Sequence, residues 1–176
     1  DYYILWKSLL QRVLDNKYQE DRPTYKGVTM DDEWLNFQNF AAWCDTQEFF
    51  NVEDTKGKPY QLDKDILIKG NKVYSPNTCC FVPSQINSAL ITCKARRGDN
   101  PVGVSYNKVK MKFVAHITLG DGKRKHLGCF ADAITAFQVY KTAKEAYIKD
   151  VAEKWKGKID DKVYQALLQW KIEITD

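Results

Sequence analysis

Histidine is scarce in this chain, with two in 176 residues, and the five cysteines form no CxxC pair. Cys44, Cys79, Cys80, Cys93 and Cys129 are odd in number and irregular in spacing, which argues against both a zinc module and a disulfide framework. The expectation is a reducing, intracellular compartment in which most thiols are buried. No run approaches the roughly 18 apolar residues of a membrane span, so no membrane association is expected. The first residues show no charged region followed by a long apolar one, so no signal peptide is expected. Neither a Walker-type loop nor GxGxxG occurs, which argues against nucleotide binding. GxSxG is absent and no cysteine has an evident histidine partner, which argues against nucleophilic hydrolysis. No heptad run points to a coiled coil.

Apolar material is plentiful. Hydrophobic residues make up 44% of the chain and aromatics 13%, enough for a folded core. Charge is unevenly placed around a net of +4. From Val28 to Asp65 nine acids face three lysines. From Lys94 to Gly128 nine bases face only Asp99 and Asp121. Such a split suits a chain of which one part meets a polyanion.

Periodicity predicts a helix over Tyr2–Leu14 and a second from Asp32 to Cys44, carrying Trp34, Phe37, Phe40, Ala41 and Cys44 on one face. A short strand is expected over Tyr60–Asp65, a turn at Lys69–Lys72, an apolar stretch at Cys79–Val82, and a helix from Pro83 to about Thr92. Arg96–Pro101 is the best linker. Beyond it the period becomes two, with strands over Gly103–Tyr106, Lys110–Leu119 and Lys123–Phe130 and a hairpin turn at Gly120–Gly122. On the last strand, alternation places Arg124 and His126 on one face, and Leu127 and Cys129 on the other. A long helix follows from about Asp132 to Trp155, with Ala133, Ala136, Phe137, Tyr140, Ala143, Tyr147, Val151 and Trp155 as its apolar stripe. A short helix over Asp160–Trp170 and a strand over Lys171–Thr175 complete the expectation. If the long helix covers the apolar face of the sheet, the other face carries Lys110, Lys112, His116, Arg124 and His126, a basic surface suited to a duplex groove.

Gly103-Val104-Ser105-Tyr106, Phe113-Val114-Ala115-His116-Ile117 and Lys125-His126-Leu127-Gly128-Cys129-Phe130, with the alanine-rich helix after them, resemble the AP2 DNA-binding domain over about 50 residues. The resemblance implies contact with double-stranded DNA through the sheet face, by His116, Arg124, His126 and their neighbours, with Arg96 and Arg97 beside them. Upstream, Asp63-Lys64-Asp65, then Tyr74-Ser75-Pro76-Asn77-Thr78-Cys79, then Asn87 resemble a degenerate HNH motif. Gly27-Val28, Trp34 and Phe37 are similar to the stretch that precedes that motif in phage homing-type endonucleases with an AP2 domain. This second resemblance implies Asp63 and Asn87 as ligands of a divalent metal, Mg²⁺ or Mn²⁺, and Asn77 as the residue that ties the loop. Lys64 stands where the family has its general-base histidine, and a lysine is protonated at neutral pH. Adjacent Asp63 and Asp65 favour that charge. Asp65 is the alternative base, and Lys64 an alternative stabiliser of the transition state.

The expected fold is therefore α+β. Residues 1–95 form a module of N-terminal helices with a degenerate ββα-metal, HNH-like unit. Residues 96–176 form an AP2-like domain of a three-stranded antiparallel sheet, a long helix and a C-terminal helix. Three functions stay open: a metal-dependent DNA endonuclease or nickase, a DNA-binding regulator without hydrolase chemistry, and a phage protein that acts on a host protein through its acidic half. The resemblance implies a phage-encoded protein in the cytoplasm of a host cell.

Overall fold

The computed structural model describes residues 2–91, 99–120 and 122–176. Cys93, the first half of the expected linker (Arg96, Arg97 and Gly98) and Asp121 of the expected hairpin turn lie outside the described residues. The fold is mixed α+β, as expected, with small sheets and one three-stranded antiparallel sheet. Its contacts divide it into two compact units, Asp1–Pro83 with Ile159–Val163, and Ser84–Lys158 with Tyr164–Asp176. The division falls at Pro83/Ser84, ahead of the expected boundary at residue 95. No helix among the described residues is long and apolar enough to cross a membrane.

In the first unit, helix α1 (Tyr2–Leu14) is followed by a short α2 (Asn16–Asp21), whose start is capped by Asp15. The helix expected from Asp32 divides in two. Asp32–Leu35 is a 3₁₀ turn closed by Asp31, and α3 runs over Phe37–Asp45. Asn36 causes the break, because its side-chain oxygen accepts the backbone N–H of Gln38 at 2.8 Å and starts a new helix there. Trp34 is buried against the rings of Phe40 and Trp43, with centroids 5.1 and 4.6 Å away. Its carbonyl accepts the Trp6 indole N–H at 2.8 Å, which ties α1 to this cluster. Strand β1 (Thr29–Met30) pairs in parallel with β3 (Val73–Tyr74), and β2 (Gln61–Asp63) pairs antiparallel with β4 (Cys80–Val82). Cys44, Cys79 and Cys80 are buried free thiols. Burial raises all three, Cys44 and Cys79 to about 12, so they act as small apolar side chains.

The second unit opens with α4 (Ser84–Leu90), just after Pro83. Strands β5 (Val104–Asn107), β6 (Lys112–Thr118) and β7 (Arg124–Phe130) form the sheet in the order β5-β6-β7. The β5–β6 turn holds Lys108 to Met111, and Asn107 Oδ1 accepts the N–H groups of Val109 and Lys110. Helix α5 (Ala133–Trp155) is capped by Asp132, whose carboxylate takes the Thr135 N–H at 2.7 Å, and it packs against all three strands. Gly103, at φ +73°, turns into β5 with its α-carbon against the Tyr140 ring. The last helix, α6 (Asp161–Leu168), belongs to the first unit up to Val163 and to the second from Tyr164, and no strand follows it. Ile172 is buried, and its N–H reaches Glu145 at 2.9 Å while its carbonyl accepts from Lys141. These side chains of α5 satisfy the backbone groups that a strand partner would otherwise take.

Candidate nucleic-acid interface

The sheet of the second unit has two unlike faces, and the register shows which residues share them. Val104 pairs with Ala115, Ser105 with Val114, Tyr106 with Phe113 and Asn107 with Lys112. On the other side Phe113 pairs with Phe130, Val114 with Cys129 and Ala115 with Gly128, and then His116 pairs with His126. Between the last two pairs, β7 advances two residues while β6 advances one. Leu127 is the extra residue of a β-bulge, and Gly128, at φ +144°, supplies the backbone geometry.

This bulge corrects the simple alternation expected for the strand. A strand of strict period two would put Cys129 with Leu127, away from His126. The extra residue turns the strand, so Cys129 shares the His126 face, with Sγ and Nε2 3.6 Å apart. It also keeps Phe130 on the helix side with Phe113 and Ala115, and Arg124 and His126 on the outer side with His116 and Thr118.

The outer face thus gathers Lys112, His116, Arg124 and His126, together with Ser105, Asn107 and Val114. A recess of about 330 Å³ on this face is lined by Ser105, Asn107, Val114, His116, Arg124 and His126, with Tyr106 at its side. The Arg124 guanidinium donates to His116 Nε2. His116 is therefore neutral at that nitrogen, and burial followed by the Arg124 charge holds its pKa below the ordinary histidine value. Lys112, Arg124 and His126 are exposed. Lys110 sits in the exposed β5–β6 turn beside Lys108, rather than on the expected strand. Val109 and Met111, at the tip of this turn, are 94% and 75% exposed. From Val104 to Phe130 the sequence holds six lysines and arginines against a single acid, Asp121. Among the described residues, no acidic side chain pairs with Lys108, Lys110, Lys112, Arg124 or Lys125. Ser105, Asn107 and Cys129 were not expected as members of this face; cross-strand register, which the sequence does not state, brings them in.

The second group of expected site residues lies around β2 in the first unit. Asp63 Oδ1 accepts the backbone N–H groups of Asp65 and Ile66, at 2.8 and 3.1 Å. The carboxyl therefore closes the turn that leaves β2. Burial, and then its hydrogen bond and repulsion with Asp65, push its pKa up to about 7. Lys64 lies 3.2 Å from Asp65 Oδ2, with its ammonium 5.8 Å from the Tyr74 ring centre. The amide that ties the loop is Asn71: its Nδ2 donates to the carbonyls of Lys64 and Val73, at 2.7 and 2.8 Å, and its Oδ1 accepts the Val73 N–H. Asn77 is exposed in the turn after Ser75. Asn87 lies on α4 in the second unit, whereas Asp63, Lys64 and Asp65 belong to the first.

As arranged, these residues do not fit a divalent-metal centre. Hard cations take several oxygen ligands. Asp63 spends one oxygen on two amides, and its acid is half protonated near neutral pH; the Lys64 ammonium lies against Asp65. Among the described residues no three His, Cys, Asp or Glu side chains come together as a ligand group.

A raised carboxyl has a measurable consequence. The folded state holds a proton on Asp63 up to about pH 7, whereas an unfolded aspartate loses it near 4. Stability contributed by the protonated form is therefore present below pH 4 and is lost as pH rises to about 7, by an amount on the order of 4 kcal/mol. Asp63→Asn keeps the oxygen that accepts the two amides and removes the titration. Urea midpoints measured from pH 5 to 8 are expected to fall with pH in the parent more steeply than in this variant. Identical slopes would contradict the assignment.

Comparison of the chain with protein-family models, with curated proteins and with solved structures returned no match.

Proposed function

We propose that this chain binds double-stranded DNA through the outer face of its three-stranded sheet, as a protein of the phage HNH/AP2 type without endonuclease chemistry. The observation that carries the reading is the bulge at Leu127–Gly128. It sets Arg124 and His126 beside His116 and Lys112 on the exposed face while α5 covers the other. Arginine and histidine at such positions reach phosphates and the acceptor edges of bases, and flanking lysines add sequence-independent attraction. The resemblance to the AP2 domain names the same face. The Asp63 loop belongs to the reading as a retained scaffold, since its carboxyl closes a turn and its lysine is engaged. A chain so built would work in the cytoplasm of a phage-infected cell, and its acidic segment from Val28 to Asp65 leaves room for a host protein partner.

The experiment is a plasmid assay with Mg²⁺, Mn²⁺ and EDTA, run beside a salt series on a short duplex. The plasmid is expected to shift and stay intact in every metal. About six phosphate contacts would make log Kobs fall with log salt at a slope of about −5. Metal-dependent nicking that is lost in Asp63→Asn would replace this reading by the nickase. No affinity near physiological salt would leave the protein-partner reading.

A further inference from the structure

Lys144 is 5% exposed and has neither an acid nor a hydrogen-bond acceptor beside it among the described residues. Its nearest compensation is the Tyr147 ring, whose centre lies 5.8 Å from the ammonium. One helical turn on, the Tyr147 hydroxyl is buried and also lacks a hydrogen-bond partner among the described residues. Unpaired buried polar groups are rare in folded proteins, and a buried ammonium is costly. Burial alone lowers the Lys144 pKa. On adjacent turns of α5, a desolvated ammonium with no acid beside it and a buried hydroxyl with no partner among the described residues therefore call for an explanation other than packing.

Both side chains line one cavity of about 720 Å³ in the second unit. It forms where the edge strand stops short. β5 begins at Val104, opposite Ala115, and the last bond on that side runs from the His116 N–H to the Gly103 carbonyl, whereas β6 continues to Thr118 paired with β7. Ile91, Val102, Leu119 and Tyr140 give apolar wall. Gly120 lies so close that a Cβ there would come within 2.7 Å of the Tyr147 oxygen, so only a glycine fits beside that hydroxyl. The only charged or titratable nitrogen groups on the described lining are Lys144, Arg124 and His116, and no aspartate or glutamate is among the described lining residues. The volume lies within the usual range of small-molecule sites.

We propose that this cavity binds a small organic anion, whose acidic head sits between the Lys144 ammonium and the Tyr147 hydroxyl and whose apolar body lies along Ile91 and Leu119. A carboxylate or a phosphate monoester supplies the same chemistry: two or three oxygens that accept from both donors, and the counter-charge that Lys144 lacks. His116 and Arg124 line both this cavity and the recess on the sheet face. Occupancy would therefore alter duplex affinity, a consequence that rests on the DNA-binding reading, whereas the anion site itself does not.

The test uses the full chain without DNA, titrated with benzoate, with phenyl phosphate and with the neutral benzyl alcohol, followed by amide NMR and calorimetry. One or both anions are expected to saturate at or below millimolar concentration and to shift the amides of Leu119, Gly120 and Lys144, with the preferred head group distinguished by the two titrations. Lys144→Met is expected to weaken the better anion roughly tenfold to a hundredfold, the worth of a charge-assisted hydrogen bond. It is also expected to raise the melting temperature by a few degrees, since a buried unpaired charge is gone. Tyr147→Phe, which keeps the ring, is expected to weaken it several-fold. Failure of both anions to saturate, equal binding by Lys144→Met, or equal binding of benzyl alcohol would each overturn the site. None of these results depends on whether the chain binds DNA, which the duplex titration reads separately.

Discussion

Arg124→Ala with His126→Ala is expected to reduce duplex affinity on the order of a hundredfold at physiological salt. The figure follows from two exposed side chains, each worth about 1–3 kcal/mol where it meets a base edge and less where it meets phosphate. Neither is buried in the core, so the folded state is expected to change little. Arg22, in the first unit, stacks on Tyr18 at 4.3 Å and serves as a basic control whose replacement leaves affinity unchanged. Fluorescence anisotropy on one duplex over a salt series distinguishes the two kinds of contact. If phosphate contacts dominate, the log-log slope becomes shallower by about 1 per lost contact. If base contacts dominate, the loss is largest on the preferred sequence. Unchanged affinity in the double variant, with Arg22→Ala equally unchanged, would remove the sheet face from the interface.

Gly103→Ala is expected to destabilise the second unit by roughly 2–5 kcal/mol. At φ +73° an alanine pays about 1–2 kcal/mol in backbone strain. Its Cβ would also meet the Tyr140 ring, which is 5% exposed and has little room to retreat, an overpacking cost of about 1–3 kcal/mol. The Gly103 carbonyl accepts the His116 N–H at 3.0 Å, so any shift of this backbone disturbs the strand that carries His116. Calorimetry should show a fall in melting temperature of at least about 10 °C. Trimming the ring separates the two causes. In Gly103→Ala with Tyr140→Ala the clash is gone and only the backbone strain remains, so the double variant should cost less than the sum of the singles. Strict additivity would mean that ring and glycine are not coupled.

Helices α1 and α5 were legible because each repeats its apolar residues near every 3.6 positions over many turns. The sheet was legible from the alternation of Lys112 to Thr118 and the strands beside it. Several features were not. The bulge changes which face Cys129 occupies, and the glycine at position 128 was its one sign in the sequence. Asn36 broke an expected helix by capping a new one, a competition that periodicity does not register. The last residues lacked a strand because Lys141 and Glu145 take the Ile172 backbone groups, contacts remote in sequence. Asn71, not Asn77, ties the loop after β2, and resemblance in spacing could not tell the two amides apart. On α5 periodicity puts Ala143 and Tyr147 on the apolar stripe and gives no sign of Lys144, because a lysine is rarely buried. Tyr140, Lys144 and Tyr147 nevertheless stand four and three residues apart, which places them on one face of a helix.

The first unit is not continuous along the chain. It takes residues up to Pro83 and then Ile159–Val163, of which Ile159 and Val163 are 2% and 0% exposed. During synthesis, the opening half of the protein therefore emerges with part of its core still unmade, and must wait for some 75 further residues before that core can close. The second unit is interrupted too: its sheet and long helix are contiguous and can form early, but it is completed only by Tyr164–Asp176, where Leu167 and Ile172 are each 1% exposed. The same arrangement means that a clean cut after Pro83 does not yield a complete N-terminal unit. A fragment lacking residues 159–163 would expose the apolar surface that Ile159 and Val163 cover and would be prone to aggregate.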